Sequence, residues 1–121
     1  MILLLDAALL GGITGRSLFN LINLKELKCG RNNFTDKGLF KLTKLKKLIC
    51  DLNRTFTDKS LSNLINLEIL NCSVNENFTD KSLSKLTNLK VLICVSNNNF
   101  TDKGLSNLTN LLELYCCRNN K

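Results

Sequence analysis

The sequence predicts an α/β solenoid, in which short coils of one design stack side by side. Three observations carry this. The block Phe-Thr-Asp-Lys recurs at Phe34, Phe56, Phe78 and Phe100, 22 residues apart each time. Each block opens like the start of a short helix. Each is followed by a strand-like alternation in which Leu and Cys recur while the residues between them vary. A unit this short cannot bury an apolar side alone, so its neighbours must cover it.

In the strand half, Leu-x-x-Leu-x-Cys-x-x-Asn begins at Leu24, Leu45, Leu67, Leu89 and Leu111. Along Lys90-Val91-Leu92-Ile93-Cys94, Leu92 and Cys94 point one way and Val91 and Ile93 the other. Strands of successive coils are expected to pair in parallel. The Asn row (Asn32, Asn53, Asn75, Asn97, Asn119) is expected to turn inward and bond backbone groups at the corner that follows. The Phe row should form a buried spine beneath that corner. In the return half, Thr or Asp of each Thr-Asp pair can accept from free N–H groups at a helix start. Leu105 and Leu108 are spaced as the buried stripe of that short helix. One step before Phe34, Ile13-Thr14-Gly15-Arg16-Ser17-Leu18 is a degenerate copy offset by 21 residues.

This pattern resembles the leucine-rich repeat, L-x-x-L-x-L-x-x-N/C-x-L in units of roughly 20–29 residues. Here Cys stands at the third apolar strand position and Phe at the last. The Thr-Asp-Lys-Gly/Ser-Leu segments are similar to cysteine-containing repeats, and the Leu-Thr-Asn-Leu stretches and unit length to internalin-like ones. The resemblance covers residues 13–121. It implies a curved, right-handed superhelix with a parallel sheet on its concave face and short helices or 3-10 turns on its convex face. It also implies a binding role, with no particular ligand. The expected organisation is a degenerate N-terminal capping unit (1–12) and five repeats: 13–33, 34–55, 56–77, 78–99 and 100–121.

Met1 to Gly12 is too short to span a bilayer, and Asp6 interrupts its apolar run. Two readings stay open. In repeat phase, Ile2, Leu5 and Ala7 match Leu67, Leu70 and Cys72, which makes a first strand; alternatively, Leu3 to Leu10 is a capping helix ended by Gly11-Gly12. The chain carries no basic leader and no cleavage site, so it reads as cytoplasmic. Its N-x-[ST] matches, Asn33, Asn53, Asn71, Asn77, Asn99 and Asn107, are one accident multiplied by repetition. Of six cysteines, Cys29, Cys50, Cys72, Cys94 and Cys116 fall one per repeat at one position. They read as a buried ladder of reduced thiols, with Cys117 alone exposed. A zinc site is not expected, since the chain has no His and no C-x-x-C pair.

With the core subtracted, three outward strand rows remain. The first is Glu26, Lys47, Ile69, Val91 and Glu113; the second Lys28, Ile49, Asn71, Ile93 and Tyr115; the third Gly30, Asp51, Ser73, Val95 and Cys117. They vary while the framework repeats. Ile49, Ile69, Val91, Ile93, Val95 and Tyr115 should form an apolar patch on a face left in solvent, rimmed by Glu26, Lys28 and Lys47 on one side and Glu113 and Arg118 on the other. The expected partner is another protein or peptide, centred on Ile93. The opposing reading is β-propensity, since branched residues suit strands whatever they face.

The formal charge of +7 would support loose polyanion binding, but the lysines are spread around the solenoid without aromatic interleaving, so nucleic acid is not an expected partner. Catalysis is not expected either. No His offers a base, no Gly-rich loop cradles phosphate, and no cofactor motif is present. Self-association is a further expectation: the strand Leu112 to Cys117 would be an open edge, so either the chain is a fragment of a longer array or two chains meet end to end as a homodimer.

Overall fold

The computed structural model describes residues 4–6, 15–31 and 34–116. Strand and helix alternate: β1 (Leu4–Asp6), α1 (Gly15–Phe19), β2 (Glu26–Lys28), α2 (Asp36–Leu39), β3 (Lys47–Ile49), α3 (Asp58–Leu61), β4 (Ile69–Asn71), α4 (Asp80–Leu83), β5 (Val91–Ile93), α5 (Asp102–Leu105) and β6 (Glu113–Tyr115). The strands form one six-stranded parallel sheet in chain order. The register keeps like beside like: Leu5 faces Leu27, and Leu27, Leu48, Leu70, Leu92 and Leu114 follow in line. Leu4–Asp6 therefore takes the strand reading of the N-terminal segment. Ile2, Ala7 and the rest of 1–12 lie outside the described residues.

Each strand is three residues long, yet the ladder continues past it. The Cys29, Cys50, Cys72 and Cys94 N–H groups donate to Ile49, Asn71, Ile93 and Tyr115 carbonyls at 2.8–2.9 Å. Leu52 and Val74 extend it again, donating to the carbonyls of Ser73 and Val95 at 2.9 Å. Leu52, Val74 and Ser96 hold φ of 63°, 59° and 61°. That left-handed conformation is strained, most of all for the branched Val74. The next residue holds it in place. Asn53, Asn75 and Asn97 are buried, and their Oδ1 atoms accept from the backbone N–H of Thr55 and Phe56, Asn77, and Asn99 respectively, at 2.9–3.0 Å. The inward Asn row is thus the corner that the repeat phase predicts; Asn32 and Asn119 lie outside the described residues.

The interior is one cluster of Leu, Cys and Phe contributed coil by coil. Phe56 and Phe78 are fully buried, with Phe34 and Phe100 nearly so. All five described cysteines carry free thiols, and Cys29, Cys50, Cys72 and Cys94 are buried while Cys116, just after β6, is half-buried. Cys117 lies outside the described residues. Burial pushes the thiols of Cys29 and Cys94 up to about 12, and those of Cys50 and Cys72 well above their ordinary value.

Two details correct the reading of the return half. The helices are single turns. α5 ends at Leu105, and Leu108 lies beyond it in a turn where its N–H donates to the Leu105 carbonyl. The 22-residue period leaves no length for a second turn before the chain must rejoin the sheet. The Asp row, expected to cap its own helix, works sideways instead. Asp36 accepts from the Thr57 N–H (2.8 Å) and hydroxyl (2.6 Å), one coil on. Asp58 does the same for Thr79, and Asp80 for Thr101. The Thr hydroxyls in turn cap their own helices, accepting from Lys59, Lys81 and Lys103 N–H at 3.3 Å. Gly15 occupies the Asp position one coil before Thr35, and Thr35 makes no side-chain cap bond. A second fastener lies at the turns, where the Asn66, Asn88 and Asn110 amides donate to Thr43, Ile65 and Thr87 carbonyls one coil back, at 2.8–3.0 Å.

Candidate interaction surface

The sheet's open face carries the rows expected to recognise a partner. Pairing brings Ile69 beside Val91 and Ile93 beside Tyr115, while Asn71 separates Ile49 from Ile93. Glu26 sits beside Lys47, and Lys28 beside Ile49, at the β2 end. Glu113 closes the β6 end; its carboxylate accepts from the Tyr115 hydroxyl at 2.8 Å, a bond that pushes the phenol up. Arg118 lies outside the described residues.

The exposure of these rows departs from expectation. Ile49, Ile69, Val91, Ile93 and Val95 are half-buried, not solvent-exposed. Strands about 4.8 Å apart put each side chain against its neighbour's flank, so the patch partly covers itself. Tyr115, on the edge strand, is 50% exposed. Ser73 departs furthest from the expected exposure. It is buried, its Oγ accepts from the Val95 N–H at 3.1 Å, and its own N–H donates to Asn71 Oδ1 at 3.1 Å. In the third row the backbone has begun to turn, and Ser73 serves the corner. Gly30 in the same row lies so close to the next coil that a Cβ there would meet the Asp51 carbonyl at 2.7 Å.

At the margin of this face Glu68 is held between Lys46 (3.6 Å) and Lys90 (3.3 Å), one on each neighbouring coil. The Lys90 ammonium, with Lys46 assisting, holds the Glu68 carboxyl below its usual range. Among the described residues no group of His, Cys, Asp or Glu could hold a metal ion, and no helix is long and apolar enough to cross a membrane.

No protein-family model matches the chain, and no curated protein does. Solved structures do. An internalin (inlF) from Listeria monocytogenes superposes with a TM-score of 0.69 and 25% identity over 84% of this chain and 32% of its own. Internalin C2 (inlC2) from the same organism superposes with a TM-score of 0.64 and 25% identity over 83% of this chain and 54% of its own. The chain is a leucine-rich repeat solenoid. It spans about a third to a half of the length of these two structures.

On the helical side of the leucine-rich repeats lie two residues that the sequence reading passed over. Phe40 is 56% exposed and Phe19 half-buried. Both follow the last Leu of the helix, the position held by Ser62, Ser84 and Ser106 in later repeats. That contrast within one chain was the available signal. Among the described residues the most exposed large apolar side chain is Leu112 at 78%, next to Leu114 at 40% on β6.

Proposed function

We propose that this leucine-rich repeat domain is a non-enzymatic binding module whose concave sheet takes a protein or peptide partner. The observation that carries the reading is the neighbouring of Ile69 with Val91 and of Ile93 with Tyr115 on a face where the repeat framework imposes no residue type. Apolar neighbours in contact on an open sheet, with Glu26, Lys28, Lys47 and Glu113 around them, have the anatomy of an interface centre and its polar rim. Ile93 is the expected anchor. Ile93→Asp, and independently Val91→Asp, should reduce capture of the partner in a pull-down by about tenfold or more, because a charge in the desolvated centre costs most there. A folded Ile93→Asp protein that captures the same partner in the same amount would overturn the reading. Its salt response separates it from polyanion binding, which would fall steeply between low and physiological salt. The buried free thiols support a reducing, intracellular setting.

A second reading is favoured by one observation, the exposed Leu112 just before β6 together with Leu114 and Tyr115 on it. A sheet edge with apolar side chains templates pairing, and a second copy would meet β6 on the side away from β5. Light scattering coupled to size-exclusion chromatography separates monomer from dimer.

A further inference from the structure

On the convex side, Phe19, Asp36, Lys37, Phe40, Lys59 and Ser62 line a shallow groove of about 410 Å³. Its aromatic residues are not required by the fold. At the equivalent position Ser62, Ser84 and Ser106 close the helix, each hydroxyl donating to the carbonyl three residues back at 2.7–2.9 Å. Phe19 and Phe40 cannot make that bond, and Phe40 remains mostly in solvent. The lysines around them are framework residues, since Lys37 and Lys59 belong to the block repeated in each coil, but here they flank two aromatic side chains. Lys41 sits with its ammonium 4.5 Å from the centre of the Phe19 ring, which fixes that ring as one wall. Lys37 and Lys59 line the opening, and the ion pairs among the described residues are both made by Glu68, elsewhere. The groove holds one acid, Asp36, whose carboxylate oxygens accept from Thr57, against the three lysines Lys37, Lys41 and Lys59.

We infer that this convex groove is a second docking site, and that it takes an acidic peptide segment anchored by one aromatic or aliphatic side chain. The apolar floor asks for a side chain that leaves water, and the excess of lysines over the single Asp36 asks for carboxylates beside it. A single-stranded nucleic acid fits less well. Stacking along a strand needs a succession of aromatic platforms, and here the aromatic row stops at Phe40, with Ser at the next three equivalent positions.

The test is fluorescence anisotropy with a labelled synthetic peptide, Asp-Glu-Asp-Phe-Asp-Glu-Asp, titrated with the intact protein. Phe40→Ser is the informative variant, because Ser is the chain's own residue at that position in three other repeats and the coil should fold unchanged, as circular dichroism can verify. Phe40→Ser, the double variant Lys37→Glu/Lys59→Glu, and replacement of the probe's Phe by Ala should each weaken binding by about tenfold. Ile93→Asp on the concave face should leave it unchanged, which separates this site from the one proposed above. Absence of saturable binding at roughly millimolar protein, or equal binding by Phe40→Ser, would overturn the inference. Tighter, Phe40-dependent binding of a labelled oligo-dT would overturn it in favour of a nucleic-acid strand.

Discussion

Raising the pH from about 8 to about 11 is expected to unfold the protein, in a transition steeper than any one thiol could produce. Four thiols from consecutive coils are buried together. Folded, Cys29 and Cys94 ionise only near 12 and Cys50 and Cys72 well above the ordinary value of 9.0. The main cause in every case is burial. The charge of Asp51 adds to it at Cys29, and Cys116 at Cys94. In the unfolded chain all four ionise near 9. Above that value the unfolded state binds fewer protons than the folded state, so stability falls as the pH rises. The contribution is intact below about 9 and is lost progressively towards 12. Each thiol gives a slope of about 1.4 kcal/mol per pH unit. Four together exhaust the roughly 5–15 kcal/mol of a typical domain within about one to three units. Circular dichroism across a pH series reads this directly. Replacing Cys50 and Cys72 by Ala should roughly halve the slope; a fold indifferent to pH up to 11 would contradict it.

Phe78→Ala should cost about 3–5 kcal/mol, a large share of total stability. Phe78 is fully buried in the middle of the spine, with Phe56 one coil before and Phe100 one coil after. No neighbouring side chain can move in without leaving its own repeat position, so the cavity stays largely open. A solenoid adds a further consequence. Each coil touches only its neighbours, so a defect in the middle weakens the coupling between the two ends. Thermal unfolding should shift down by about 10–20 °C and broaden. Phe100→Ala, in the last described coil and already 8% exposed, should cost less. Equal shifts at the two positions would argue against a stack with distinct middle and ends.

What repeats is what the sequence made legible. Leu27, Leu48, Leu70 and Leu92, the Cys row, the Phe row and the corner Asn residues fall at one phase, and each buries because four or five copies must do the same thing. What joins one repeat to the next was not legible. Asp36 and Thr57 are 21 residues apart, so the carboxylate reads locally as a helix cap while its oxygens go to the next coil. The amides of Asn66, Asn88 and Asn110 were hidden in the same way, because they bond 23 residues back. At the candidate surface, face could be read from alternation but exposure could not. Ile93 does point outward, yet how much water reaches it is decided by the strands on either side. Ser73 was placed outward by simple alternation, but the chain has already entered the left-handed corner at Val74, and there the alternation ends. Phe40 was legible in principle, since Ser in the other repeats marks it as an exception, but a search for sameness passes over exceptions.

Coils stacked with Leu, Cys and Phe inside must shield their thiols, and thiol accessibility measures this most directly. Native protein treated with iodoacetamide near neutral pH, then mapped by mass spectrometry, should remain unmodified at Cys29, Cys50, Cys72 and Cys94 and react at all four after unfolding in guanidinium chloride. Rapid native modification of those four, at the rate seen in denaturant, would contradict it.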